Sequence, residues 1–67
     1  MTACFAKDLK FGMLFTIFGK EYIVVYVLPN SFGEIVIRFV NSDAYKEQRP
    51  ERAMVLIVHS DMEFQLS

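Results

Sequence analysis

Few side chains in this 67-residue sequence carry chemistry, and their spacing decides what they can do. His59 is the only histidine, the one group whose ordinary pKa lies near neutrality, as a general base requires. Ser60 and Asp61 follow it, so the residue types of a hydrolytic triad stand in a row. A triad needs them to converge on one point, whereas consecutive strand residues point to opposite faces. The adjacency therefore argues against a shared site, and His59 reads as a strand-end histidine beside a turn. Cys4, the only cysteine, would need a lowered pKa and an adjacent base to act as a nucleophile or redox thiol. No neighbour in sequence supplies the base, so it reads as a packing residue. Gly12, Gly19 and Gly33 are too widely spaced for a phosphate-binding loop and read as hairpin punctuation. No two carboxylates share a strand face at a working spacing, and one cysteine with one histidine makes no zinc set. The sequence therefore assigns no catalytic residue, no metal, no cofactor and no small-molecule substrate. A chain of this kind is expected to act by binding rather than by catalysis.

The elements that position these residues are short and apolar. Residues 1–12 show no period and read as a lead-in loop. Met13 to Phe18 and Glu21 to Leu28 suit a pleated surface, and Gly19-Lys20 between them reads as a two-residue type II′ hairpin loop, glycine first. Pro29 to Gly33 is a cluster of turn formers, and Glu34 to Val40 is the third strand. A polar stretch follows, in which Ser42 or Asp43 would cap a helical turn through Gln48 before Pro50. Ala53 to His59 is a fourth strand, and Met62 to Leu66 alternates as a half-buried fifth. Five short antiparallel strands in so few residues must curl to enclose a core. The expected fold is all-β, a single-domain, five-stranded SH3-like barrel over residues 1–67.

Strand alternation then divides the apolar residues. Tyr22, Val24, Tyr26 and Leu28 should share one face, with Ile23, Val25 and Val27 on the other. Ile35, Ile37 and Phe39 oppose Val36, Arg38 and Val40, while Met54, Leu56 and Val58 oppose Val55, Ile57 and His59. Met62, Phe64 and Leu66 should face inward. A composition 54% hydrophobic supplies more apolar side chains than one small interior holds, and contiguous exposed apolar surface marks an interface. Another protein, or a second copy of the chain in a homodimer, is the expected partner. The contact candidates are Val36, Arg38, Val55 and Ile57 on the outward face, with Phe32 and Tyr45 as loop-borne aromatic anchors.

Between about residues 5 and 28 the chain resembles the amino-terminal, SH3-like (KOW-type) domain of translation elongation factor P. The matching residues are Asp8-Leu9-Lys10, Gly12, the strand ending at Ile17, Gly19-Lys20, Tyr22 and Val24. The resemblance implies a small barrel and a translation-associated role. The departure comes in the next loop, where that family presents a modifiable lysine and this chain has Pro29 to Gly33 without one. The family's two further barrel domains have no counterpart in this sequence.

Nucleic acid is the alternative partner. Small barrels bind single strands through exposed aromatics ringed by basic residues. Lys20, Arg38, Lys46, Arg49 and Arg52 are the candidates. Against this, the net charge is −1, from seven basic and eight acidic residues, where phosphate binding favours a positive excess. The basic residues between positions 43 and 52 also have acidic neighbours. No run approaches the roughly 18 apolar residues needed to span a bilayer, and no export signal is evident at Met1. One unpaired thiol fits a reducing cytoplasm. The sequence thus reads as a small self-contained adaptor or inhibitor, of the kind compact viral genomes encode.

Overall fold

The computed structural model describes residues 2–66. Six strands form one antiparallel sheet, so the all-β class holds, with one strand more than the sequence indicated. They are β1 (Ala3–Phe5), β2 (Leu14–Ile17), β3 (Lys20–Pro29), β4 (Glu34–Asn41), β5 (Met54–His59) and β6 (Glu63–Leu66), with a short helix, α1 (Ser42–Lys46), between β4 and β5. The order across the sheet is β1-β6-β2-β3-β4-β5. The extra strand lies in the lead-in, which is no simple loop: β1 pairs with β6, and a 3-10 turn at Ala6–Asp8 follows.

The connection from β5 to β6 sets the shape. In a flat sheet these strands would stand four places apart, roughly 19 Å at ~4.8 Å per strand. Only Ser60, Asp61 and Met62 join them, and four backbone steps reach at most ~14 Å. The sheet must therefore roll. Backbone bonds from Ala6 to Met62 (2.7 Å) and from Lys7 to Ser60 (3.2 Å) pin the lead-in to this same connection. No ladder joins β5 to β1 or β6 among the described residues, so the expected closed barrel is instead a rolled sheet with two edges.

Phe15 lies at the centre of the interior, fully buried, with Phe39 and Phe64 each 5.3 Å from it edge-on and Tyr22 at 5.9 Å. Val24, Ile35 and Ile37 extend this cluster along β3 and β4, and Ala6 and Leu9 enter it from the lead-in. Cys4 packs against the same cluster, as expected of a packing residue. Of the three residues expected to face inward from the last strand, Phe64 is buried and Leu66 half-buried, whereas Met62 lies in the turn and is exposed.

A bulge in β3 reverses part of the expected face assignment. The ladder with β4 passes from Val24–Phe39 directly to Tyr26–Arg38, leaving Val25 with no residue opposite. One extra residue shifts the strand's phase by one. Val27 therefore joins Tyr22 and Val24 on the inner face, opposite Ile37, and Tyr26 and Leu28 turn outward. Tyr26 and Leu28 are thus not core residues.

Two turns also differ from expectation. Ile17 pairs with Lys20, so the loop of the first hairpin is Phe18-Gly19. Both loop residues have positive φ, +54° and +75°, which makes a type I′ turn rather than II′. Positive φ is costly for a bulky side chain, and the Phe18 ring is 92% exposed, with nothing gained by burial. Phe18→Asn, which restores the Asn-Gly pair this turn favours, is expected to stabilise the fold by about 0.5–1 kcal/mol. A higher urea midpoint at unchanged slope would show it; a lower midpoint would mean that the ring has a structural role. At the other turn, Asn41 rather than Ser42 or Asp43 caps α1. Its side-chain oxygen accepts from the amides of Asp43 (2.9 Å) and Ala44 (3.4 Å). The helix stops at Lys46, short of the expected Gln48, which has φ +56°.

Candidate protein-contact face

The outward side of β3, β4 and β5 follows from their register. Leu28, Val36 and Ile57 lie side by side in one row across the three strands, and Tyr26, Arg38 and Val55 in the next. Directly opposed residues of an antiparallel pair share a face, so four expected contact residues, Val36, Arg38, Val55 and Ile57, stand together. Tyr26, Leu28, Val55 and Ile57 are 47–59% exposed, a contiguous apolar patch with one cation in it. Val25 and Ala53 complete a shallow depression around Arg38. Among the described residues no carboxylate pairs with that guanidinium.

Local structure explains why the patch ends where it does. Beyond Val25, α1 and the following loop come against the sheet, and a second hollow there is lined by Val25, Val40, Tyr45, Arg49, Pro50 and Glu51, among others. Tyr45 is therefore helix-borne, not loop-borne, and stands at one end of the outward face, partly exposed. Ser42 anchors this end: its buried hydroxyl donates to the Glu21 carboxylate at 2.9 Å. At the opposite end, Asn30 organises the β3–β4 turn, accepting from the amides of Phe32 (2.9 Å) and Glu34 (3.0 Å). Gly33 at φ +77° ends the four-residue connection from Pro29 to Glu34 with a left-handed residue. Phe32 sits on this tip, 83% exposed.

The basic candidates do not share this arrangement. Lys20 follows the first turn, in a polar hollow with Glu21 and Asp43. Arg49 is paired with Glu47, and Lys46 and Arg52 flank that loop. Only Arg38 lies on the patch. The row His59, Ser60, Asp61 bends back on itself: the Asp61 amide donates to His59 Nδ1 at 3.2 Å, and the Asp61 carboxylate lies 3.8 Å from the same nitrogen. Both groups are well exposed, where such pairs contribute little. Burial, helped by the Asp8 carboxylate, pushes the Cys4 thiol above its usual range, which disfavours the thiolate.

Tyr26 and Leu28 are the face residues that sequence reasoning missed. An unbroken apolar run offers no polar residue to report where the phase slips. Compared with known proteins, the chain matches no family model, no curated protein and no solved structure. Among the described residues no helix is long and apolar enough to cross a membrane, and no three His, Cys, Asp or Glu side chains could together hold a metal ion.

Proposed function

We propose that this chain is a non-enzymatic protein-contact module, an adaptor or inhibitor that docks through the outward face of β3–β5. One observation carries the reading. Tyr26, Leu28, Val55 and Ile57 are left half-exposed around Arg38, on a sheet whose other face packs the core along β2, β3, β4 and β6. Leaving such a patch in water is unfavourable by roughly 25 cal/mol per Å², and a partner recovers that energy. The unpaired guanidinium adds selectivity: the partner surface should be apolar with a carboxylate facing Arg38, since a buried cation without a counter-charge is costly. Phe32 and Tyr45, exposed at the two ends, extend the contact along the face.

A photo-crosslinking residue in place of Leu28, introduced in cells of the source organism, is expected to yield a discrete protein adduct resistant to ribonuclease. The same residue in place of Lys10, exposed in the lead-in, should yield none. Arg38→Glu should lower the adduct yield about tenfold or more through charge reversal at the centre of the contact. An adduct destroyed by ribonuclease, with retention falling steeply in salt, would favour the nucleic-acid reading through Lys20, Lys46, Arg49 and Arg52 and overturn this one. Equal adducts from both positions would overturn it as well.

A further inference from the structure

The two edges of the sheet are not alike. β1, at one edge, has three residues, too short to template another strand. β5, at the other, runs Met54-Val55-Leu56-Ile57-Val58-His59 with no proline, lysine or acidic residue along it. Edge strands are normally blunted by such residues or by bulges, and β5 carries none of these devices. Its ladder with β4 is continuous and without a bulge.

Hydrogen-bond parity shows which backbone groups point outward. The Ser60 amide donates to the Gly33 carbonyl at 3.4 Å, and the Asn30 amide to the Glu34 carbonyl at 2.9 Å. Each bond flanks a non-hydrogen-bonded pair, Glu34–His59 in the first case and Pro29–Ile35 in the second. Both give the same answer. Met54, Leu56 and Val58 direct their amides and carbonyls to β4, so Val55, Ile57 and His59 direct theirs to the open edge. β5 is also short of cover on both faces: Val55 and Ile57 are exposed on the outer side, Met54 is exposed on the inner side, and Leu56 and Val58 there are only half-buried. A partner lying flat on the outer face would not cover the inner three. A neighbouring strand would cover all five.

We infer that the occupant of this edge is β5 of a second copy, paired antiparallel about a two-fold axis at Leu56. This rests on the reading of the chain as a protein-contact module but uses the open edge of β5, which shares Val55 and Ile57 with the outward patch. In this register Val55 lies opposite Ile57 of the copy, and the outward-pointing groups of the two residues form four main-chain hydrogen bonds. Inner residues meet inner residues, Met54 against Val58 and Leu56 against itself, so the two rolled sheets become one continuous sheet. β5 has no formal charge from Met54 to Val58, so self-pairing brings no like charges together. Packing the outward faces of two copies together would instead press two Arg38 side chains near each other in an apolar seam, which argues for the edge. Ten apolar side chains across the seam bury on the order of 1,000 Å² in total, at the low end for specific association, so a micromolar dimer is expected. The axis is perpendicular to the sheet, so both contact patches face the same way and the dimer is bivalent.

Ile57→Pro is the decisive variant. Proline at 57 removes an amide that faces the open edge and takes none from the β4 ladder, a position where edge strands accept it. Sedimentation equilibrium of the wild-type chain from about 1 µM to 1 mM should show a monomer passing to twice the chain mass. Ile57→Pro should shift the midpoint about a hundredfold or more, with an unchanged circular dichroism spectrum. Ile57→Lys, which keeps the amide but adds edge charge, should also weaken the dimer. A wild-type chain that stays monomeric, or a dimer that survives in folded Ile57→Pro, would overturn the inference. Neither result would touch the adduct at position 28, two strands from the edge, so the two proposals fail separately.

Discussion

Phe15→Ala is expected to leave the domain unfolded, or nearly so, at 25 °C in water. Its ring is fully buried and contacts three other aromatics, two of them edge-on at 5.3 Å. Truncating a buried phenylalanine costs about 3–5 kcal/mol, from lost transfer energy and from the cavity left behind. A domain of this size has only about 3–10 kcal/mol in total. The neighbouring rings belong to β3, β4 and β6, so the strands cannot close the hole without giving up their own ladders. No disulfide offsets the loss, since the lone Cys4 is free. Urea denaturation followed by circular dichroism checks it, and a loss below about 1 kcal/mol would mean that Phe15 is not the hub of this interior. Phe18 is the internal contrast: three residues along, it is almost wholly exposed, and its loss should cost nothing.

These two phenylalanines mark how far the fold was legible. Phe15 sits in a short apolar run that reads as strand by any pattern, and strands two to five of the reading appear within a residue or two of their expected ends. Ile35 to Val40 and Met54 to His59 even keep the expected alternation, because neither strand carries an extra residue and the ladder between them runs without interruption. The misses have separate physical causes. β1 is a three-residue strand held by β6, so it carries no periodicity of its own and only the tertiary pairing reveals it. The hairpin loop slipped by one because glycine fits the first position of a type II′ turn as well as the second of a type I′ turn. Helix α1 took its cap from Asn41, one residue before Ser42 and two before Asp43, since Asn41 ends β4 and its side chain is free to turn back.

The outward face proposed for contact was legible in its β4 and β5 residues and illegible in β3, for one reason. Alternation reads a strand's two sides only if every residue advances the phase by one, and a bulge adds a residue without advancing the ladder. The run Tyr22 to Leu28 is apolar throughout, so both phases look equally acceptable until the pairing with β4 is known. Val36, Arg38, Val55 and Ile57 could be grouped from sequence; Tyr26 and Leu28, which complete the patch, could not.

The bulge makes a prediction that simple alternation reverses. Val27→Asp is expected to destabilise the fold by about 2–3 kcal/mol, because Val27 faces inward opposite Ile37 and packs against the core. A carboxylate there either keeps its charge in a half-buried apolar setting or takes up a proton, and both outcomes disfavour the folded state. Leu28→Asp, the very next residue, should change stability by no more than about 0.5 kcal/mol, since its side chain lies on the open outer face. Unbroken alternation would have Leu28 inside with Tyr22 and Val24, and would predict the opposite order. Measuring both variants by urea denaturation decides between the two phases, and a more damaging change at 28 than at 27 would remove Val25 as a bulge. The comparison also separates folding from function. Leu28→Asp should fold normally yet lose binding at the proposed face, because it puts a solvated charge into the apolar row of Val36 and Ile57. Where Val27 is lost, partner binding should fall only as far as the folded fraction does.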